Sequence, residues 1–180
     1  KVVYRDIYDL DSMRKELEDA ADEAVRGASG LAGDEYKVRY INDYIVRKCT
    51  YVTGDDEPFA STAYGCLVEG KANCEGYAKA FGLLASELEL ESAVITGQTD
   101  EGENHAWNQV KVAGEWYNID VTWADTDITG EMRQMYYLCS DSGFRKTHIA
   151  DTSLFTPYEC SKDDRNYYVS SGLYAETIEE

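Results

Sequence analysis

Basic residues are scarce in this chain of 180 residues, which has 17 Lys and Arg against 35 Asp and Glu. The formal net charge is -18, and we expect no nucleic-acid partner because binding phosphates requires a basic surface. The acidity could instead steer cationic peptides towards a site. The simpler interpretation is a solvated surface that keeps the domain soluble.

Long hydrophobic runs are also missing, and no stretch approaches the length that spans a bilayer. No internal repeat or low-complexity linker divides the chain. Hydrophobic residues still make up 43% of it, enough for one substantial core, so the sequence predicts a single domain over residues 1–180. The chain begins at Lys1 with neither a signal peptide nor an initiator Met, which indicates a trimmed or mature fragment.

Recognisable metal-binding patterns are absent as well. The five cysteines include no CxxC pair of the kind that binds zinc. The acidic segment DTDITGE, residues 125–131, is too short for the twelve-residue calcium loop of an EF-hand. We therefore expect neither a metal nor another cofactor.

Three segments contain the residue types of a reactive site. NCEGYAKAF contains Cys74, NHAWNQV contains His105 and WYNIDVTW contains Asp120. Together they supply a thiol, an imidazole and a carboxylate, which are the parts of a nucleophilic acyl-transfer site.

Cys74 stands at the predicted start of a helix, directly after Asn73, a favourable N-cap. Unpaired N–H groups and the helix dipole favour a thiolate there, and Gly76 would leave room for a substrate. Taken alone, Cys74 could equally be a small buried hydrophobe, the commonest role of a free cysteine. The helix is indicated by apolar residues at three- and four-residue spacing: Tyr77, Ala78, Phe81, Leu84, Ala85 and Leu88.

A hairpin is predicted over residues 104–112 and 115–123, joined by a tight Ala-Gly turn. A two-residue loop would pair Val112 with Glu115, Trp107 with Asp120 and His105 with Thr122. His105 and Asp120 are then diagonal neighbours on one face, with Cα atoms roughly 7–8 Å apart. A bulge at the turn would shift this pairing.

The two faces of this hairpin differ in polarity, and a slip of one residue would mix them, so the pattern supports the register. The mostly apolar face should be core: Ala106, Asn108, Val110, Val112, Tyr117, Ile119, Val121 and Trp123. The polar and aromatic face carries the candidate site: His105, Trp107, Gln109, Lys111, Trp116, Asn118, Asp120 and Thr122.

The segments NCEGYAKAFGLLASEL and ENHAWNQVKVAGEWYNIDVTWAD resemble the core of the transglutaminase-like superfamily, whose members are cysteine-dependent acyltransferases and peptidases with a papain-like fold. The resemblance is closest to the bacterial, often secreted, members. It extends upstream through YKVRYINDYIVRKCTYV and STAYGCLVEGKA and downstream through MYYLCSDSGFRKTHI, about two-thirds of the chain in all.

This resemblance implies an α+β fold, papain-like, in which N-terminal helices and the nucleophile helix pack on a small antiparallel sheet. It implies a domain core of about 34–150, with Cys74 as nucleophile, His105 as base and Asp120 as orienting carboxylate. It indicates less strongly that Tyr64 is an oxyanion or substrate contact, and it implies a secreted or cell-surface location.

Three further residues have either a functional or a packing role. His148 is the second of the two histidines, and its segment THIAD offers no carboxylate partner on a strand, so we expect it to pack at a surface or strand end. Trp107 shares the face of His105 and is a second candidate for substrate or oxyanion contact, as a wall of the cleft. Trp123 lies on the apolar face and is expected to pack.

The other four cysteines could form two disulfides in any of three connectivities. A domain of this size does not need such links, so free buried thiols are the default expectation. These four cysteines are Cys49, Cys66, Cys139 and Cys160.

The remaining elements are predicted from periodicity and turn residues. Helices are expected over 12–27 and 34–49, with a polar loop at 53–60 ahead of a short helix at AYG. Strands are expected over 92–96 and 136–139, with a loop over 97–103 and either an edge strand or a tail at 172–175.

The sequence therefore predicts a cysteine-dependent hydrolase that cleaves amide bonds of peptides or proteins, with cell-wall stem peptides as one candidate. Water is the default acceptor of a thioester acyl-enzyme. A protein-glutamine transglutaminase, which transfers the acyl group to an amine, uses the same triad and stays open as the alternative. A non-catalytic binding module is the third interpretation, and loss of a triad residue would be its signature.

Overall fold

The computed structural model describes residues 9–53, 57–125, 134–153 and 155–172. Three long helices are α1 (Leu10–Ala28), α2 (Asp34–Lys48) and α3 (Cys74–Glu87). A π-helix spans Gly65–Glu69, and three single-turn helices lie in the C-terminal third of the chain: α4 (Val121–Ala124), α5 (Asp141–Phe144) and α6 (Tyr167–Ser170). None of the described helices is both long and apolar enough to cross a membrane.

Within the described ranges, six strands form two sheets. The larger sheet is antiparallel and has the order β5-β4-β3-β6, from β3 (Ser92–Thr99), β4 (Asn104–Val112), β5 (Glu115–Ile119) and β6 (His148–Ala150). The smaller sheet pairs two short parallel strands, β1 (Thr50–Tyr51) and β2 (Lys71–Ala72).

The main core lies between the helices and one face of the larger sheet, with α3 packed on β3 and β4. Its largest buried side chains come from α2, α3 and the sheet: Ile41, Ile45, Tyr77, Phe81, Leu84, Tyr117 and Ile119. A second, smaller cluster covers the other face and consists of Ile95, Trp107, Cys139 and Phe144. The sheet is therefore covered on both faces, and His105, which alternates with Ala106 along β4, belongs to the second face.

The predicted helices and the start of the hairpin are confirmed. The two N-terminal helices run within two residues of their predicted ends, and α3 begins at Cys74. The hairpin has the predicted register from Val112–Glu115 to Asn108–Ile119. Ala113 and Gly114 turn the chain with φ angles of 50° and 89°, the left-handed values that a two-residue hairpin loop requires.

The far end of the hairpin was predicted wrongly. β5 ends at Ile119, and Asp120 is the N-cap of α4, where its Oδ1 accepts a hydrogen bond from Trp123 N at 3.1 Å. The chain therefore leaves the sheet before the expected pairing of His105 with Thr122 can form. A capping carboxylate satisfies an unpaired helix N–H group, which competes with extending the strand.

Two predicted strands also differ in the structure. Residues 136–139 form a turn with one isolated bridge between Cys139 and Asn118, because Leu138 adopts a φ of 51° that interrupts an extended run. β3 continues to Thr99 through the predicted loop, because β6 pairs with its last three residues. Gly172 lies in a turn, and residues 173–175 of the last predicted strand are outside the described residues.

Gly76 has a packing role in place of the expected substrate clearance. It is buried in the first turn of α3, and a Cβ there would overlap the carbonyl oxygen of Ala60 and lie 2.7 Å from the Cβ of Ala72. The absence of a side chain lets the start of α3 approach the loop before the π-helix and strand β2. This close approach fixes the position of Cys74.

Replacing Gly76 by Ala should therefore destabilise the protein by about 1–3 kcal/mol, the usual cost of overpacking a core. The matched control is Gly30→Ala, where no atom lies within 4 Å of the added Cβ, and a change within about 0.5 kcal/mol is expected there. Urea denaturation of both variants measures the difference. Equal stabilities would contradict the packing role.

Candidate active site

The thiol of Cys74 stands at the N-terminus of α3, partly exposed to solvent. Asn73 caps this helix, since its Oδ1 accepts hydrogen bonds from the N–H groups of Glu75 at 3.1 Å and Gly76 at 3.2 Å. The Asn73 side chain is itself held by Ser61, to whose Oγ it donates at 2.8 Å. The Cys74 N–H has no hydrogen-bond acceptor among the described residues, which leaves it available to a ligand.

The other four cysteines are buried, and no disulfide joins any of them among the described residues. Burial raises the pKa of the Cys139 and Cys160 thiols to about 12. The pKa of Cys66 is also raised, by its interaction with Cys49 and by burial. The thiols of Cys66, Cys139 and Cys160 therefore stay protonated near neutral pH, and they are buried, whereas Cys74 is partly exposed to solvent.

His105 and Asp120 are in direct contact, as the sequence predicted, although the backbone brings them together by a different path. His105 Nε2 lies 2.7 Å from Asp120 Oδ2, and both side chains are buried. Asp120 reaches this position from the cap of α4, while His105 lies on β4. With Nε2 occupied, Nδ1 is the ring nitrogen left for the thiol of Cys74, with which His105 also interacts.

The two titratable partners shift each other's pKa in opposite directions. Burial lowers the pKa of His105, but the hydrogen bonds to Asp120 and Cys74 outweigh it and raise that pKa to about 9. Burial raises the pKa of Asp120, yet hydrogen bonds with His105 and His148 bring it below its usual value. The site therefore favours an imidazolium beside an ionised carboxylate at neutral pH.

His148 was expected to lack a carboxylate partner, and that expectation is wrong. Its Nε2 lies 3.1 Å from the same Oδ2 of Asp120, and the side chain is fully buried on β6. The short strand β6 was not predicted, and no local pattern in THIAD indicates which distant carboxylate it meets. Only the pairing of β6 with β3 places it there.

A cleft of about 800 Å³ opens at Cys74 and His105. Tyr51, at the end of β1, is the aromatic side chain that lines it, and burial together with the nearby Cys74 and Glu103 raises the pKa of its hydroxyl. Glu75 and Asp151 also line the cleft, and none of its lining residues in the described part of the chain is Lys or Arg. Tyr51 lies in KCTYV, which belongs to the family-like part of the sequence, but no functional role was predicted for it.

The structure does not bring the two weaker candidates to the cleft. The Tyr64 hydroxyl donates to Glu16 Oε2 on α1 at 2.5 Å, and Tyr64 is not a lining residue. Trp107 is only 3% exposed, with its ring centre 6.2 Å from that of His105, and it lines a separate pocket of about 410 Å³. Trp107 therefore packs behind the imidazole, whereas it was expected to wall the cleft.

Trp123 was placed on the core face, and this is also wrong. Because the chain leaves the sheet at Asp120, the ring of Trp123 turns towards the site. It lies 5.2 Å from the His105 ring and 4.5 Å from the His148 ring. Trp123 is therefore part of the aromatic surroundings of the two histidines.

His105, Asp120 and His148 also have the donor types found in metal centres, with ligand atoms within 4.8 Å of one another. Both ring nitrogens lie at hydrogen-bonding distance from one oxygen of an ionised carboxylate. N–H donation to a shared acceptor accounts for this arrangement. We therefore assign no metal ligand to these residues.

Comparison with known proteins identifies the family. The family model of the transglutaminase-like superfamily matches residues 19–121, a span that contains all three candidate site residues. Kyphoscoliosis peptidase of Homo sapiens is 27% identical over 126 residues, which cover 58% of this chain and 19% of that protein. The Mus musculus protein is 26% identical with the same coverage. The chain thus spans about a fifth of the length of the curated relatives it matches.

Two solved structures have a similar fold. One, described as the crystal structure of a TGase, has a TM-score of 0.54 and 19% identity and covers 75% of this chain and 39% of its own. The other, a proposed cysteine protease from Cytophaga hutchinsonii, has a TM-score of 0.54 and 15% identity and covers 87% and 61%. They support the predicted α+β transglutaminase-like fold. Since the family model matches more than half of its length, the chain belongs to the transglutaminase-like superfamily.

Proposed function

We propose that this protein is a cysteine-dependent hydrolase of amide bonds in peptides or proteins, with Cys74, His105 and Asp120 as its catalytic triad. The observation that carries the proposal is the hydrogen bond of His105 to the buried Asp120 beside a partly exposed thiol at a helix N-terminus. Each group has the environment that its role requires.

Acylation begins with the ion pair of Cys74 and His105. The thiolate attacks the amide carbonyl carbon and forms a C–S bond. His105 Nδ1 then gives its proton to the leaving nitrogen as the C–N bond breaks. Asp120 holds Nε2–H, so the ring keeps the correct orientation through this transfer.

Deacylation reverses the proton transfer. Neutral His105 takes a proton from water at Nδ1, and the hydroxide formed adds to the thioester carbonyl. The C–S bond breaks, the carboxylic acid leaves, and the thiolate and imidazolium are restored. One catalytic cycle therefore needs no group beyond the triad and an oxyanion donor.

The oxyanion formed in both steps needs hydrogen-bond donors. The Cys74 N–H is one, since it has no protein acceptor among the described residues. Tyr51 is the second candidate, because its side chain lines the cleft beside Cys74. Such donors commonly contribute more to catalysis than any other single interaction.

Water and amines compete for the same thioester, so the transglutaminase reaction is the second candidate function. Hydrolysis is favoured because the curated relatives are named peptidases and because water acts unless a site excludes it. A binding module without chemistry is disfavoured because all three triad residues are present. The substrate remains a proposal, with cell-wall stem peptides among the candidates, and so does a secreted or cell-surface location.

The first test is the reactivity of Cys74. At mildly acidic pH, iodoacetamide should label Cys74 at least about tenfold faster than the four buried cysteines, because the His105 imidazolium stabilises a thiolate there. Because the pKa of His105 is about 9 and the pKa values of the Cys139 and Cys160 thiols are about 12, this advantage should persist from mildly acidic to neutral pH. Mass spectrometry of labelled peptides measures it.

His105→Ala should abolish this selectivity, and Cys74→Ser should remove the rapidly labelled peptide alone. Uniform labelling of all five cysteines in the unsubstituted protein would count against a catalytic thiol.

The second test compares two tyrosines. Tyr51→Phe should lower the turnover of p-nitrophenyl acetate by roughly 10²-fold, the usual effect of losing an oxyanion donor. Tyr64→Phe is the matched control and should leave turnover unchanged, because its hydroxyl is bound to Glu16 on α1. The opposite ranking would return the oxyanion role to Tyr64.

The third test concerns the acceptor. With an acyl donor peptide and millimolar monodansylcadaverine, a hydrolase should release mainly free acid, because both products come from one thioester and water is in vast excess. Product analysis by mass spectrometry measures the ratio. Mostly dansylated product would identify a transglutaminase, and no turnover of any amide or ester would favour the binding module.

A further inference from the structure

Asp120 holds two imidazoles with one oxygen. His105 Nε2 lies 2.7 Å and His148 Nε2 lies 3.1 Å from Oδ2, while Oδ1 accepts from Trp123 N at 3.1 Å. An ionised carboxylate can only accept hydrogen bonds, so both ring nitrogens must carry protons. The proposed mechanism uses the first imidazole and leaves the second without a task.

The His148 ring is held on every side. Its Nδ1 lies 2.9 Å from the Thr147 hydroxyl, and the side chain is 2% exposed. Four aromatic rings surround it, with centres 3.8 Å away for Phe144, 4.5 Å for Trp123, 5.1 Å for Trp107 and 5.3 Å for Tyr136. The ring has little freedom to rotate, so its Nε2–H points at Asp120 in one fixed direction.

We propose that His148 is a positioning residue that fixes the Asp120 carboxylate and, through it, the orientation of the His105 imidazole. The proposal rests on the proposed function, since it gives His148 a task in that triad. With Oδ1 held by α4 and Oδ2 by β6, the carboxylate cannot turn about its side-chain bonds. His105 then meets an acceptor in a constant place throughout the catalytic cycle.

The backbone supports this arrangement through Gly97. This residue of β3 is the register partner of both His105 on β4 and Ala150 on β6. A Cβ on Gly97 would overlap the carbonyl oxygen of Ile149, so glycine permits the close approach of β6. His105 and His148 therefore pair with positions two residues apart on β3, Gly97 and Thr99.

Hydrogen bonding by His148 also affects the charge of Asp120. The groups around the carboxylate are His105 on β4, His148 on β6, Cys74 on α3, Tyr51 on β1, and Cys139 with Tyr136 in the segment before α5. Among them only the two histidines donate from side chains. Losing one raises the folded-state pKa of a buried carboxyl, so Asp120 would protonate at a higher pH.

The experiment compares three variants of the full chain. His148→Phe fills the aromatic surroundings without a donor, and His148→Gln restores an N–H that can reach the carboxylate. Ile41→Val lowers stability in the main core and leaves His148 and its aromatic contacts intact. The readouts are the pH profile of Cys74 carboxymethylation, the kcat and KM for p-nitrophenyl acetate, and ring nitrogen NMR. The chain has two histidines, so the histidine signals that remain in His148→Phe all belong to His105.

We expect His148→Phe to shift the acidic limb of the alkylation profile to higher pH and to lower kcat roughly 10- to 100-fold with little change in KM, because a misplaced base loses rate and not binding. His148→Gln should recover most of both effects, and Ile41→Val should change neither the pH profile nor kcat, although it lowers stability. The His105 nitrogen shifts should titrate differently in His148→Phe.

An unchanged pH profile and unchanged His105 titration in folded His148→Phe would show that His148 only packs. If that variant does not fold, ring nitrogen shifts of the unsubstituted protein decide, because a His148 without a proton on Nε2 cannot donate to Asp120. Slow alkylation of Cys74 in the unsubstituted protein would refute the proposed function, while the His105 titration would still test His148.

Discussion

The carboxylate of Asp120 is withdrawn from solvent and accepts hydrogen bonds from three elements, β4, β6 and α4. A buried charge is costly unless it is paired and fully hydrogen-bonded. The surrounding chain meets that requirement with two imidazoles and one backbone N–H. Three features of the fold serve this requirement. β5 ends where Asp120 is needed, α4 begins so that the Trp123 N–H reaches the carboxylate, and β6 docks so that His148 does.

The thiol is fixed from the opposite side of the cleft. Cys74 depends on the cap made by Asn73 and on the close contact of Gly76 with Ala60 and Ala72. The thiol of Cys74 is therefore held by the helical layer and the imidazole of His105 by the sheet, and the cleft lies where the two layers meet. A small shift of the helical layer against the sheet would separate the sulfur of Cys74 from the imidazole of His105. The tight packing on both sides of the cleft prevents such a shift.

Much of this site could be predicted from the sequence because its signals are local. The N-cap before Cys74, the helical spacing after it and the polarity of the hairpin faces each span a few residues, and they indicated the residues of the proposed triad. The structure places Tyr64 and Trp107 outside the lining of the cleft, since a side chain on the correct strand or segment can still point to another layer. His148 was missed because its partner, Asp120, is 28 residues away.

The sequence by itself determined the family, the α+β class, the start of α3 and the hairpin register near its turn. These features depend on periodicity, capping and the alternation of side chains, which act over short distances. Only the tertiary structure decided where β5 ends, which aromatic side chain lines the cleft, and that two histidines share one carboxylate. The reason is physical: the cost of burying Asp120 is met by groups on three separate elements, and their meeting depends on how the layers pack.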